Sequence, residues 1–168
     1  MSGTFLVVGL GVFGSYVAKT LSASGAYVLA VDRAKEPVNV IQGVVSKAVC
    51  CDATHADRME VVGAFAVGTA IVALRNHFEA TVLITIALRQ HGVPRILVRA
   101  DNEQQAKAIQ TVGATEVLLP SRDMALRIAQ QLIHPDQTVV QQAPLGTLLH
   151  AAQAGRDWSL NAFAHDVF

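Results

Sequence analysis

Phe5-Leu6-Val7-Val8-Gly9-Leu10-Gly11-Val12-Phe13-Gly14 joins a short apolar run to a turn with three spaced glycines, and residues 15–21 behind it have a helical look. An apolar run of this length, closed by glycine, reads as a parallel strand covered on both faces. Glycines at such a junction let the backbone approach a diphosphate, whose charge the helix N-terminus favours. A glycine turn could equally pack a helix on a strand with no ligand, so the turn alone decides little. The next apolar run, Tyr27-Val28-Leu29-Ala30-Val31, ends in Asp32. That places a carboxylate about 20 residues downstream, where it accepts hydrogen bonds from ribose hydroxyls. Strand, glycine turn, helix, strand and acid therefore stand in the order of a dinucleotide-type βαβ unit.

The same alternation continues. A helix is expected over 34–45, with Pro37 in its first turn, where a missing N–H does no harm. A short strand over 47–50 runs into Cys51-Asp52-Ala53-Thr54, and Asp52 or Thr54 is expected to cap a helix over 56–62 that Gly63 closes. Strands follow at 69–74, 95–99 and 116–119, with helices at 78–90, 103–110 and 122–133; Asp101 or Asn102 caps the second of these helices. Six apolar strands alternating with helices predict an α/β fold, a doubly wound parallel six-stranded sheet of order 3-2-1-4-5-6. Ligands of such sheets lie outside the carboxyl ends of the strands, near the switch between strands 1 and 4. That rule nominates one pocket lined by Gly9, Leu10, Gly11, Val12, Phe13, Gly14, Asp32, Arg33, Cys51, Asp52, Ala53, Thr54, Leu74, Arg75, Asn76 and Arg99. Asp32 favours a free 2′-hydroxyl over a 2′-phosphate by charge repulsion, and Arg33 beside it pulls the other way. His77 reads as a polar residue of an early helix turn.

The 168 residues fit one domain, residues 1–135, with an extension over 136–168 in which no motif is recognised. Thirteen basic and thirteen acidic residues balance, so no general pull toward nucleic acid or an anionic membrane is expected. Hydrophobic content of 52% beside 15% charged residues leaves few charges to cover the surface, which predicts apolar area buried against another subunit. Charged residues or histidine interrupt every long apolar stretch, so no direct membrane insertion is expected, and the N-terminus lacks a secretory signal; a cytoplasmic location follows. Cys50 and Cys51 are neighbours, poorly placed for an ordinary disulfide, and the histidines show no zinc-ligand spacing.

Taken together, Gly9 through Ala18, Val31-Asp32, Asp52-Ala53-Thr54, Ile71-Val72-Ala73, Val98-Arg99-Ala100, Gly113-Ala114 and Leu119-Pro120 resemble the TrkA-N/KTN, or RCK N-lobe, family of potassium-transport regulators. The resemblance implies a non-catalytic domain that binds an adenine nucleotide (NAD or NADH, or ATP, ADP or AMP). It implies assembly as a homodimer or larger ring, and action on a membrane potassium channel or transporter subunit. By position, Gly9, Gly11, Phe13 and Gly14 would cradle phosphate, Asp32 would hold ribose, Asp52-Ala53-Thr54 would border adenine and Arg99 would reach a phosphate. The helix over 122–133 resembles the family's crossover helix, which packs on a second subunit. Three positions depart from the family's pattern. Val12 stands where the ATP-responding branch often has Arg, Ser121 where an acid is frequent, and Gly68 where an acid is usual before the fourth strand.

Two other classes compete. An NAD-dependent oxidoreductase needs an acid/base beside the cofactor, yet neither Tyr16 nor Tyr27 has Lys four residues on, and no substrate domain is visible. A redox-sensing nucleotide-binding regulator acting on DNA would need a basic reading head, which the neutral charge argues against.

Overall fold

The structure, a computed structural model, describes residues 3–133. A first compact unit extends to Met124, and the second begins at Ala125, of which the described part is the end of the last helix. The expected extension over 136–168 and the boundary at 135 lie outside the described residues.

Twelve elements alternate: β1 (Thr4–Val8), α1 (Val12–Ala23), β2 (Tyr27–Asp32), α2 (Lys35–Ile41), β3 (Lys47–Cys50), α3 (Ala56–Val62), β4 (Thr69–Val72), α4 (Phe78–Gln90), β5 (Arg95–Arg99), α5 (Glu103–Thr111), β6 (Glu116–Leu118) and α6 (Pro120–Ile133). The strands form one sheet of order β3-β2-β1-β4-β5-β6, every neighbouring pair parallel, as the alternation predicts. β1 sits at the switch. It pairs with β2 from Thr4↔Tyr27 to Val8↔Val31 and with β4 from Phe5↔Thr69 to Val8↔Val72.

Successive side chains of a strand point to opposite faces, and both faces here are covered. Leu6, Val8, Leu29, Val31, Val72 and Ile96 share one buried cluster with Met59 of α3, Ile84 and Leu88 of α4 and Ile109 of α5. Val7, Val28, Ala30 and Ile71 share the other with Ala18 of α1 and Val38 and Ile41 of α2. A fully buried Leu or Ile contributes about 1.5–3 kcal/mol, so these two layers hold the strand ends in register.

Several boundaries differ from expectation: β4 ends at Val72 rather than 74, α6 starts at Pro120 rather than 122, and two differences are larger. α1 starts at Val12 rather than 15, so the helix N-terminus lies inside the glycine turn itself. α2 stops at Ile41, where the Val44 and Val45 amides both donate to the Ile41 carbonyl in a closing turn. Val45 is still buried, which is why its spacing from Ile41 reads as helical. Asn102 caps α5 as one of the two expected residues, its Oδ1 accepting from the Gln105 amide at 2.9 Å.

Candidate functional site

The glycine turn is built by contacts inside the protein. Gly9 has φ +92°, a left-handed conformation that favours glycine, and a Cβ there would lie 2.9 Å from Leu74 Cδ2. A Cβ on Gly14 would overlap the Gly9 carbonyl oxygen, so α1 packs onto the turn only with glycine at this position. Gly11 is different. Its φ is −64°, open to any residue, and a Cβ there meets nothing within 4 Å. Gly11 is also the N-cap of α1 and gives no side-chain cap, which leaves the first N–H groups of the helix without one.

Asp32 completes the turn. Its Oδ2 accepts the Leu10 amide at 2.7 Å and its Oδ1 accepts the Ala34 amide at 2.8 Å. The Leu10 carbonyl accepts from Ser15 Oγ at 2.7 Å, so both backbone groups of this residue are engaged. A carboxylate offers about four lone-pair sites, and two remain on Asp32 beyond those the backbone uses.

Asp52 forms the next wall. Its Oδ1 accepts from Thr54 twice, from the amide at 3.0 Å and from Oγ1 at 2.7 Å. These bonds hold the Asp52 carboxyl below the usual carboxylate range, with smaller help from His55 and Arg33 and against partial burial. The expected helix cap is corrected here. The N-cap of α3 is His55, with no side-chain cap bond, because Asp52 and Thr54 spend their polar groups on each other in the turn before it. Burial pushes the neighbouring Cys51 thiol up, Asp52 and Cys50 add to the rise and Arg58 opposes it.

Arg99, at the end of β5, closes the far side. Its side chain is 11% exposed, its Nη2 donates to Asp101 Oδ1 at 3.3 Å, and its Cζ lies 6.0 Å from the centroid of the Phe13 ring. Its Nε is buried without a hydrogen-bond partner among the described residues. A buried, unpartnered guanidinium nitrogen costs free energy, and the rest of the Arg99 side chain lines the cleft as a cation.

The cleft between these groups measures about 330 Å³. Gly9, Gly11, Val12, Phe13, Asp32, Arg33, Cys51, Asp52, Ala53, Thr54, Leu74, Arg75 and Arg99 line it together, as the strand-end rule nominates. Leu10, Gly14 and Asn76 are not part of the lining. Leu10 is 4% exposed with its amide on Asp32, Gly14 is spent on packing, and Asn76 holds a left-handed φ of 58° in the loop before α4. His77 was missed. It lines the cleft from the N-cap of α4, and its Nε2 lies 3.3 Å from Arg33 Nη2. The signal available in the sequence was its place just after strand 4, on the far side of the switch. Among the described residues, no group of three or more His, Cys, Asp or Glu is placed to hold a metal.

The sheet order, the glycine turn after β1 and the acid after β2 define a Rossmann-like domain of the dinucleotide-binding class of folds. More particularly, the chain belongs to the TrkA-N domain family, whose family model matches residues 5–120. It is 34% identical over 143 residues to Ktr system potassium uptake protein A of Vibrio alginolyticus, a match covering 85% of this chain and 64% of that protein. It is 35% identical over 133 residues to Ktr system potassium uptake protein C of Bacillus subtilis, covering 79% of this chain and 60% of the other. The chain thus spans about three fifths of the length of these curated relatives. Among solved structures, the fold is shared with the TrkA-N domain of the inner membrane protein ybaL from Escherichia coli (TM-score 0.70, 22% identity, 79% of this chain and 98% of that one). It is shared also with the Shewanella denitrificans Kef CTD in AMP bound form (TM-score 0.68, 20% identity, 90% of this chain and 92% of that one).

Proposed function

We propose that this chain is a nucleotide-binding module that regulates a potassium, or more broadly cation, uptake system. It binds an adenine nucleotide, whether NAD or NADH, or ATP, ADP or AMP. It carries no catalytic role, assembles as a homodimer or larger ring, and acts at the cytoplasmic face on a membrane channel or transporter subunit. The observation that carries the binding reading is the Arg99 cation, nearly buried and lining the same cleft as the uncapped turn at Gly11. The potassium reading is supported by the two curated relatives, both potassium uptake proteins. None of the described helices is long and apolar enough to cross a membrane.

In this reading the N–H groups at the start of α1 and the Arg99 guanidinium hold phosphate, because a helix N-terminus and a cation both favour an anion. The remaining lone pairs of Asp32 accept ribose hydroxyls, and Asp52, Ala53, Thr54 and Cys51 border the base. The nucleotide supplies charge and shape and undergoes no bond change. Regulation is differential binding: a ligand with higher affinity for one subunit arrangement shifts the population toward it, by no more than that difference in affinity.

The test is a thermal-shift series with ATP, ADP, AMP, NAD, NADH and NADPH, since a ligand that binds only the folded state raises the melting temperature. A shift with at least one is the expected result. No shift with any of them at millimolar concentration would overturn the binding reading. A monomer at high concentration, by light scattering, would overturn the assembly.

A further inference from the structure

Arg33 follows β2 and His77 follows β4, and in the sheet β1 lies between these two strands. The glycine turn leaves the carboxyl end of β1. The contact between Arg33 Nη2 and His77 Nε2, at 3.3 Å, therefore spans two strand spacings, about 10 Å, across the top of that turn. No other side-chain hydrogen bond among the described residues joins the segment after β2 to the segment after β4.

Three arginines and three carboxylates surround this contact, and they differ in how their polar atoms are engaged. Arg33, Arg75, His77 and Arg99 line the cleft with Asp32 and Asp52, and Glu79 lies in the first turn of α4. Asp32 turns both oxygens to backbone amides, and Asp52 turns Oδ1 to Thr54. Among the described residues, Arg33 and Arg75 pair with no carboxylate, and the one polar side chain that Arg33 meets is an imidazole. A guanidinium donates in every state. His77 Nε2 accepts from it only with its own proton on Nδ1. A phosphate oxygen is a better acceptor for Arg33, and it would also take a hydrogen bond from His77 once the ring carries a proton on Nε2.

We propose that Arg33 and His77 form a phosphate clasp over the glycine turn: a phosphorylated adenine ligand parts the contact, and the two side chains then close on its phosphate oxygens from opposite sides. This rests on the nucleotide-binding reading above. It gives His77 a ligand-holding role and makes Arg33 a phosphate group's partner rather than a ribose one. It also supplies a cationic contact near the turn from outside it, in a chain whose turn carries Val12.

Isothermal titration with ADP tests the clasp on the full chain and on Arg33→Ala, His77→Phe and His77→Gln. Both residues are exposed, so the ligand-free melting temperatures should match the wild type. Arg33→Ala and His77→Phe should each weaken ADP about tenfold, the scale of one charge-assisted hydrogen bond. His77→Gln, whose amide donates at a similar reach, should stay within about threefold of wild type. Wild-type affinity in both Arg33→Ala and His77→Phe would overturn the clasp, as would a Gln variant as weak as the Phe one. If the wild type binds no ADP, the clasp falls, and the nucleotide reading falls with it only if ATP, AMP, NAD, NADH and NADPH fail as well; if it binds ADP and the variants bind alike, only the clasp falls.

Discussion

The carboxylate of Asp32 accepts the backbone amide of Leu10 at 2.7 Å, across 22 residues of sequence. One side chain at the end of β2 thus braces the turn at the end of β1. Asp32→Ala should lower stability by about 1–3 kcal/mol with no nucleotide present, since the Leu10 amide loses its acceptor in a buried setting. Chemical denaturation of the ligand-free protein reads this. Unchanged stability, with affinity alone reduced, would make Asp32 a ligand group only.

Gly11 and Gly14 should separate cleanly. Gly11→Ala is sterically free within the protein, so its stability should stay within about 0.5 kcal/mol of wild type while nucleotide affinity drops. Gly14→Ala forces α1 off the turn and should cost more than about 3 kcal/mol. Denaturation midpoints with and without ADP distinguish the two. Equal nucleotide affinity in Gly11→Ala would show that no ligand approaches the backbone there.

Arg99→Met removes a buried, charged nitrogen that lacks a partner among the described residues. The ligand-free variant should melt at or above the wild-type temperature, because the desolvation cost disappears and the apolar stem is retained. Its ADP-induced thermal shift should shrink. A variant less stable in the ligand-free state, with a full shift, would assign Arg99 to the fold alone.

Thr54→Val should raise the titration midpoint of Asp52 toward the ordinary carboxylate value, as followed by carboxyl-carbon NMR, because the hydroxyl bond from Thr54 is the largest cause of its depression. A folded-state midpoint below the unfolded one stabilises the protein above the unfolded value and is lost as pH falls through the folded value. Wild type should therefore lose stability relative to Thr54→Val as the solution is acidified below the ordinary carboxylate range, about pH 4. An unmoved Asp52 midpoint would contradict the hydrogen-bond cause.

Strand order was legible because each central strand is a continuous apolar run that water must not reach, as in Leu6-Val7-Val8 and Ala70-Ile71-Val72. The cleft was legible for the same reason: the ends of β1 to β5 must point to one edge. What escaped were relations between side chains. The sequence shows Asp32 as an acid closing the second strand, and only the fold shows its oxygens bound to Leu10 and Ala34. His77 went unread because a lone histidine at a helix start has no periodicity, and its meeting with Arg33 depends on β2 and β4 flanking β1. The cap of α3 was misplaced because Asp52 and Thr54 are both good caps in isolation, and each is the other's partner here.

The bracing of the turn by Asp32 divides the cleft into a floor and a rim. Gly9, Leu10, Gly14 and Asp32 are locked by bonds and packing that exist without any ligand, so a change there is felt first as lost stability. Val12, 80% exposed, and the exposed Arg33 and His77 carry almost none of that burden. Under the proposed function, ligand preference in this scaffold is therefore free to drift by substitution at the rim while the fold stays untouched. Two chains sharing this floor need not answer to the same nucleotide.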